Sequence, residues 1–457
     1  MKMFRRPEAE PCSCGHSGAV SEGSTRQAQG FSRRSFLRRA AATGALAGAA
    51  AVGGQSLATR YAFAATPVDY TGDVLVVISL RGGFDGLSAV VPYGDLDAQS
   101  QPYYYQLRPD IGIPQNALLP LDATFGLHPA MQSLKPYWDA GQFGAVHAVG
   151  QVDPTRSHFE AMAEMERAAP GTSTRTGWLD RTLGLRTTEL HTVGTAFRGV
   201  QLGSGMASSA FLGPNPELAM YSIDNFDLNG AWNATERQRW QKALRSLHSG
   251  APLAIGSPAV TTLDALTTAA TLQDAGYTPE NGAAYPDTDL GKALTDVARL
   301  IKSPTPTGLQ VACVDYGDWD MHVEMGTVDT GWMHDHLTEL SDAMAAFATD
   351  LGPKLDGVTV LTLTEFGRRV EQNDSHGVEH GHGQVVLMLG GGVNGGKVHG
   401  SWPTLAPDAL VDGDLAGTTD YRVILAEALE KRCDTSGLSS VFPGLGSSRL
   451  GAFKQKA

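Results

Sequence analysis

The chain has 457 residues, 42% of them hydrophobic, with four cysteines and a formal net charge of −13. That length and apolar fraction can bury a large core, whereas four cysteines are too few for a disulfide scaffold. The acidic balance argues against binding nucleic acid or an anionic membrane surface.

Residues 1–64 read as an export leader. The stretch "SRRSFLRR" from Ser32 is followed by the small, uncharged "AAATGALAGAAAVGG", and an A-x-A cleavage site ends at Ala64. Paired arginines, then Phe36 and Leu37, then a weakly hydrophobic core have the form of a twin-arginine signal. Its glycine and alanine content is too weakly hydrophobic for a stable membrane span. The expected partner during export is the twin-arginine translocase, and the destination is the periplasm or the exterior. The leader holds nine Lys or Arg against three Glu, so its removal would take the net charge from −13 to −19. Cys12 and Cys14 would leave with it.

In the mature chain five runs rich in Val, Ile and Leu alternate with helical patterns. They are "DVLVVISL" from Asp73, "FGAVHAVG" from Phe143, "LQVACVDYG" from Leu309, "VTVLTLTEFG" from Val358 and "QVVLMLGGG" from Gln384. Such an order predicts an α/β fold with a mainly parallel sheet covered on both faces. Between the third and fourth runs, Leu337, Leu340, Met344, Phe347 and Leu351 recur at helical spacing. From about 172 to 303 the pattern is looser, with two helices, "TERQRWQKALRSLHS" and "DLGKALTDVARLIKS". This segment is expected to be an inserted helical cap. Cys313 and Cys433 could be bonded or could be two free thiols.

Ligands of open parallel sheets bind beyond the carboxyl ends of the strands, so the residues following each run are the candidates. The first run ends in "RGGFDG" with Asp85, which could equally be a tight turn. After the second, Ser157 and His158 open a helix; Glu160 stands three residues beyond Ser157, the spacing of a capping box. A serine there also faces the unpaired N–H groups that stabilise an anion or an alkoxide. The third run leads to "GDWDMH", where Asp320 and His322 project from the same side of an extended segment. The fourth leads through Glu365 to "SHGVEHGHG", with Glu379, His380 and His382 within four positions. Mixed imidazole and carboxylate sets suit zinc, manganese or iron, and this stretch is read as a metal loop. His128 and His147 are assigned to structure, His334 and His336 to a solvated helix start, and His399 is an outside candidate for a ligand. "GGVNGGKV" from Gly391 lacks the Ser or Thr of a phosphate loop, and no G-x-S-x-G follows the leader.

"LRGGFDGLSAVVPY", "TRSHFEAMAEME", "GDWDMH", "TEFGRRVEQN", "GVEHGHG" and "GGKVHGSWP", behind a twin-arginine leader, resemble the bacterial family called domain of unknown function 1501. The resemblance covers almost all of residues 65–457. It implies the alkaline phosphatase and sulfatase superfamily, a three-layer α/β/α sandwich with a metal site at the strand ends. Carried over by motif, Asp85 matches a first metal-binding aspartate and Ser157 the nucleophile. Asp320 with His322 matches a pair on one metal, and Glu379 with His380 a pair on a second. Glu379 stands where relatives carry Asp, and either His382 or His399 would match the last histidine. The implied function is an exported hydrolase of phosphate or sulfate esters with one or two divalent ions. His158 or His382 would assist the leaving group or hold the anion. The alternative is a non-catalytic envelope protein that binds a protein or glycan partner on the same scaffold. A redox protein, the third reading, would need cysteine clusters or a haem motif that the sequence lacks.

Overall fold

Alternation along β1 (Val74–Ser79) sends Val76 and Ile78 into one apolar layer and Leu75 and Val77 into another. A strand of that kind needs cover on both faces, and the rest of the chain provides it. The structure is a computed structural model that describes residues 70–185, 197–304 and 307–456; the leader expected at 1–64 lies outside the described residues. The main sheet continues with β2 (Phe143–Gly150), β3 (Gly199–Leu202), β4 (Leu218–Met220), β5 (Val311–Asp315), β6 (Val358–Leu363), β7 (Gln384–Leu389), β8 (Val398–His399) and β9 (Thr419–Asp420). Its order is β8-β2-β7-β6-β1-β5-β3-β4, with β9 also pairing with β2. All pairings are parallel except those of β7, which runs antiparallel to both β6 and β2.

Helices form the outer layers. On one face lie α4 (Leu253–Ala275), α5 (Asp289–Lys302) and α6 (Trp332–Leu351), whose Ala269, Leu294, Val297, Leu340 and Phe347 share a core with Val76 and Ile78. On the other face lie α1 (His158–Arg167), α2 (Trp178–Leu185) and α7 (Tyr421–Lys431), whose Met165, Leu179 and Leu425 pack with Leu75 and Val77. The protein is therefore an α/β/α sandwich with a mainly parallel sheet. The apolar stripe of α6 is buried along its length, from Leu337 to Leu351. Among the described residues no helix is long and apolar enough to cross a membrane. Cys313 and Cys433 are both buried and are not bonded to each other.

The stretch from 172 to 303 differs from the helical insertion expected of it. It supplies α2 to one layer, β3 and β4 to the sheet edge and α5 to the other layer. "GVQL" and "LAM" make strands of four and three residues, too short for an alternating pattern to register. Within this stretch α3 (Ala234–His248) buries no residue, and it rests against α4.

The reversed strand positions the site. Because β7 opposes its neighbours, its amino end stands at the same edge as the carboxyl ends of β1, β2, β5 and β6. The connection from 364 to 383 thus leaves and returns at that edge, where the loops after β1, β2 and β5 also emerge.

Candidate metal centre

Glycines bring these loops into contact. A Cβ on Gly82, which has φ +115°, would stand 2.7 Å from the backbone nitrogen of Trp319. One on Gly377 would lie 2.2 Å from the carbonyl of His322, and one on Gly381 would lie 2.4 Å from the carbonyl carbon of Arg368. The glycines of "GVEHGHG" thus serve close backbone approach. The loop pairs with itself: Arg369 N–H donates to the Glu379 carbonyl at 2.9 Å and Gly381 N–H to the Gly367 carbonyl at 2.9 Å. This fixes His380 between them.

Four side chains from three loops converge. His380 Nε2 lies 2.9 Å from His158 Nε2, 3.0 Å from His322 Nε2 and 3.1 Å from Asp320 Oδ1. Asp320 Oδ1 is in turn 2.9 Å from His322 Nε2 and 3.4 Å from His158 Nε2. Ligand atoms each about 2.1 Å from one ion keep separations of about 3 Å to 3.4 Å from one another, so these distances suit a shared cation. His158, Asp320 and His380 present one ligand atom each, all within 4.8 Å of one another, and His322 Nε2 stands next to Asp320 and His380 at 2.9 and 3.0 Å.

The far side of each ring fixes its tautomer. His158 Nδ1 is 2.7 Å from Glu365 Oε1, His322 Nδ1 is 2.8 Å from Glu379 Oε2, and His380 Nδ1 is 2.8 Å from the Arg156 carbonyl. All three partners can only accept, so each Nδ1 carries the proton and donates it. The neutral rings of His158 and His322 then each turn a bare Nε2 lone pair toward that of His380, with the Asp320 carboxylate oxygen beside them. That arrangement is repulsive unless a cation stands there or a ring takes a second proton. Imidazoles oriented by carboxylates and a carbonyl are the usual surroundings of a bound metal.

Further groups hold this set. Glu365 is buried and also accepts from Gly82 N–H at 2.9 Å. Asn373 donates to Glu379 Oε1 at 2.7 Å and to the His322 carbonyl at 2.8 Å; it is the first cause of the lowered pKa of the Glu379 carboxyl. The fully buried Arg368 donates to Asp320 Oδ1 at 2.6 Å and to the carbonyls of Gly82, Gly83, Trp319 and Val378. One guanidinium therefore ties three loops together. Burial would raise the Asp320 carboxyl, but the Arg368 contact overrides it and holds the group down at about 2. Neither Arg368 nor Asn373 was singled out from sequence. "TEFGRRVEQN" contains both, but a charged residue in a loop gives no sign that it will be buried.

The other expected site residues lie elsewhere. Asp85 is buried and held by Arg108 at 2.6 and 3.0 Å, a contact that outweighs burial and lowers its pKa; it takes no part in the cluster. His382 faces the Gln151 carbonyl at 3.3 Å and lines a separate cavity of about 230 Å³ with Arg156 and Asp414. His399 Nε2 sits 2.9 Å from the Asn394 carbonyl. Glu379 stands behind His322. Ser157 is the N-cap residue of α1 but makes no side-chain capping bond; Thr155 Oγ1 accepts from Ser157 N–H and bonds Glu160 instead of the expected box. His128 and His147 are buried, and His336 is half-buried against Tyr316 and Trp319 rather than solvated.

Residues 73–423 match the family described as Protein of unknown function (DUF1501). The chain belongs to the DUF1501 family. No curated protein sequence matches it. Among solved structures, this DUF1501 chain is similar to the PsFucS1 sulfatase from Pseudoalteromonas sp., at 12% identity and a TM-score of 0.32, over 84% of this chain and 70% of that one. Beside the DUF1501 cluster opens a cavity of about 520 Å³, lined by His158, Asp320 and Glu365 together with Arg81, Phe159, Met162 and Glu166.

Proposed function

We propose that this DUF1501 protein is an exported, metal-dependent hydrolase of phosphate or sulfate esters, with one divalent ion held by His158, Asp320, His322 and His380. The observation that carries the reading is the commitment of all three Nδ1 protons to acceptors, which leaves the Nε2 lone pairs of His158 and His322 each facing that of His380. Zinc, manganese and iron all accept this donor set. With Asp85 locked to Arg108 and Glu379 behind His322, the donors favour one ion over two.

A bound ion would supply Lewis acidity and offset charge at the transferring group. The chain's own residues do the rest. Glu365, Glu379 and the Arg156 carbonyl keep the rings in register, and Arg368 keeps Asp320 ionised. Phe159 and Met162 offer an apolar wall to the alcohol part of an ester. Ser157, adjacent to a ligand and free of capping duty, is the proposed nucleophile.

Elemental analysis of the exported protein tests this together with an aryl ester assay. About one metal equivalent, lost in His380→Ala, is expected, with Ser157→Ala keeping the metal and losing turnover. An absence of metal after reconstitution would refute the centre, and full activity in Ser157→Ala would remove the serine from its role.

A further inference from the structure

The cavity beside the cluster carries an uneven charge. Four carboxylates line it, those of Glu166, Asp318, Asp320 and Glu365, against a single cation, Arg81. The charge of Arg81 is offset twice, since its Nε donates to Asp315 at 3.0 Å and its Nη2 to Glu166 at 2.8 Å. Glu166 is in turn fixed by the hydroxyls of Ser208 and Ser209. Asp318 is exposed at the rim. Counting Arg368 at Asp320 and Asp315 behind Arg81, five carboxylates face two guanidiniums and whatever charge an ion brings. Even a divalent ion leaves the lining slightly negative.

We propose that this cavity selects a singly charged tetrahedral group, a sulfate monoester or a phosphodiester, over a doubly charged phosphate monoester, with Arg81 as the residue that positions it. The inference rests on the ester-hydrolase reading and narrows it. Arg81 is half-exposed, held at two nitrogens, and has its Nη1 donors left for a ligand oxygen. A guanidinium whose charge is already balanced recognises by its remaining N–H donors rather than by net attraction. A second negative charge on the ligand then meets the surplus carboxylates. At about 8 Å one such repulsion weakens binding from about twofold in water-like surroundings to about thirtyfold at lower effective dielectric.

Calorimetry with three unreactive probes tests this on the full protein with and without added zinc. They are benzenesulfonate, methyl phenylphosphonate and phenylphosphonate, at a pH where only the last is doubly ionised. The two singly charged probes are expected to bind about tenfold or more tightly than the dianion. Asp318→Asn should narrow that gap about threefold, and Arg81→Gln should weaken all three probes while leaving metal content unchanged. Equal or tighter binding of the dianion, no binding of any probe, or an unchanged gap in Asp318→Asn would each overturn the proposal. The two singly charged probes, compared with each other, separate a sulfate-like from a diester-like preference. Failure of the metal reading shows in elemental analysis instead, and the binding order is expected without zinc too, because removing a cation only deepens the carboxylate excess.

Discussion

At the scale of single residues, the proposed metal centre depends on groups outside its ligand set. Glu365 is the clearest: it is buried, and it accepts from His158 Nδ1 and from Gly82 N–H. Gln in its place keeps the size but can present an N–H toward a ring nitrogen that already carries a proton. His158 would then lose its fixed tautomer. Loss of such a supporting group lowers metal affinity by about 10- to 100-fold, so Glu365→Gln should weaken zinc binding by that factor in a competition titration with a chelator. Unchanged affinity would show that the carboxylate only holds the Gly82 loop. The same residue shows the limits of sequence. Asp320, His322 and His380 were legible because D-x-H and a histidine-rich glycine loop are short local patterns. The pairing of His158 with His380 was not, because 222 positions separate them and only the fold brings them together.

At the scale of elements, the loop from 364 to 383 acts as a unit whose two limbs lie backbone against backbone. Gly381 is a close approach of the limbs beside His380, and an added Cβ there would collide with backbone atoms of Arg368 and Arg369 at 2.4 to 2.6 Å. Backbone cannot rotate away as a side-chain tip can. Gly381→Ala is therefore expected to displace His380 and the Arg368 clamp together, reducing metal content while leaving most of the fold intact. Near-ultraviolet dichroism beside elemental analysis would check it, and a normal metal content would show that the limbs can separate at little cost. Five of the nine strands of the main sheet were readable because apolar runs of five or more residues are buried on both faces. The antiparallel direction of β7 was not readable, since composition is blind to direction. The short edge strands β3 and β4 take their identity from pairing with their neighbours rather than from any propensity of their own. The helix α5 showed its apolar stripe in the sequence. Its place in a core layer was hidden because those strands, which carry the sheet beneath it, went unseen.

At the scale of the molecule, buried titratable groups set how stability follows pH. Burial drives His147 down to about 4, against a smaller upward pull from the Val90 carbonyl, and burial drives His128 to about 4 as well. The unfolded chain binds a proton at each below pH 6.5, whereas the native one refuses it until about pH 4. Stability is thus complete above pH 6.5 and falls by about 3 kcal/mol per histidine as pH drops from 6.5 to 4. Asp296 acts in the opposite sense. Burial raises it to about 6, so the native state takes its proton first and regains about 3 kcal/mol between pH 6 and 4. The sum is a modest acid loss, close to that of one histidine, and a single substitution should expose the hidden components. His147 donates to the Val90 carbonyl and accepts from Ala148 N–H, and a glutamine amide can do both without titrating. Chemical unfolding of chelator-treated His147→Gln, compared with the parent from pH 7.5 to 4.5, should show a lower stability at neutral pH but a flatter or reversed dependence on acidification. A parallel curve would mean that His147 already binds its proton in the native state near the ordinary histidine value. The surviving acid loss would then have to come from His128 and from carboxylates held ionised by their partners, such as Asp85 with Arg108.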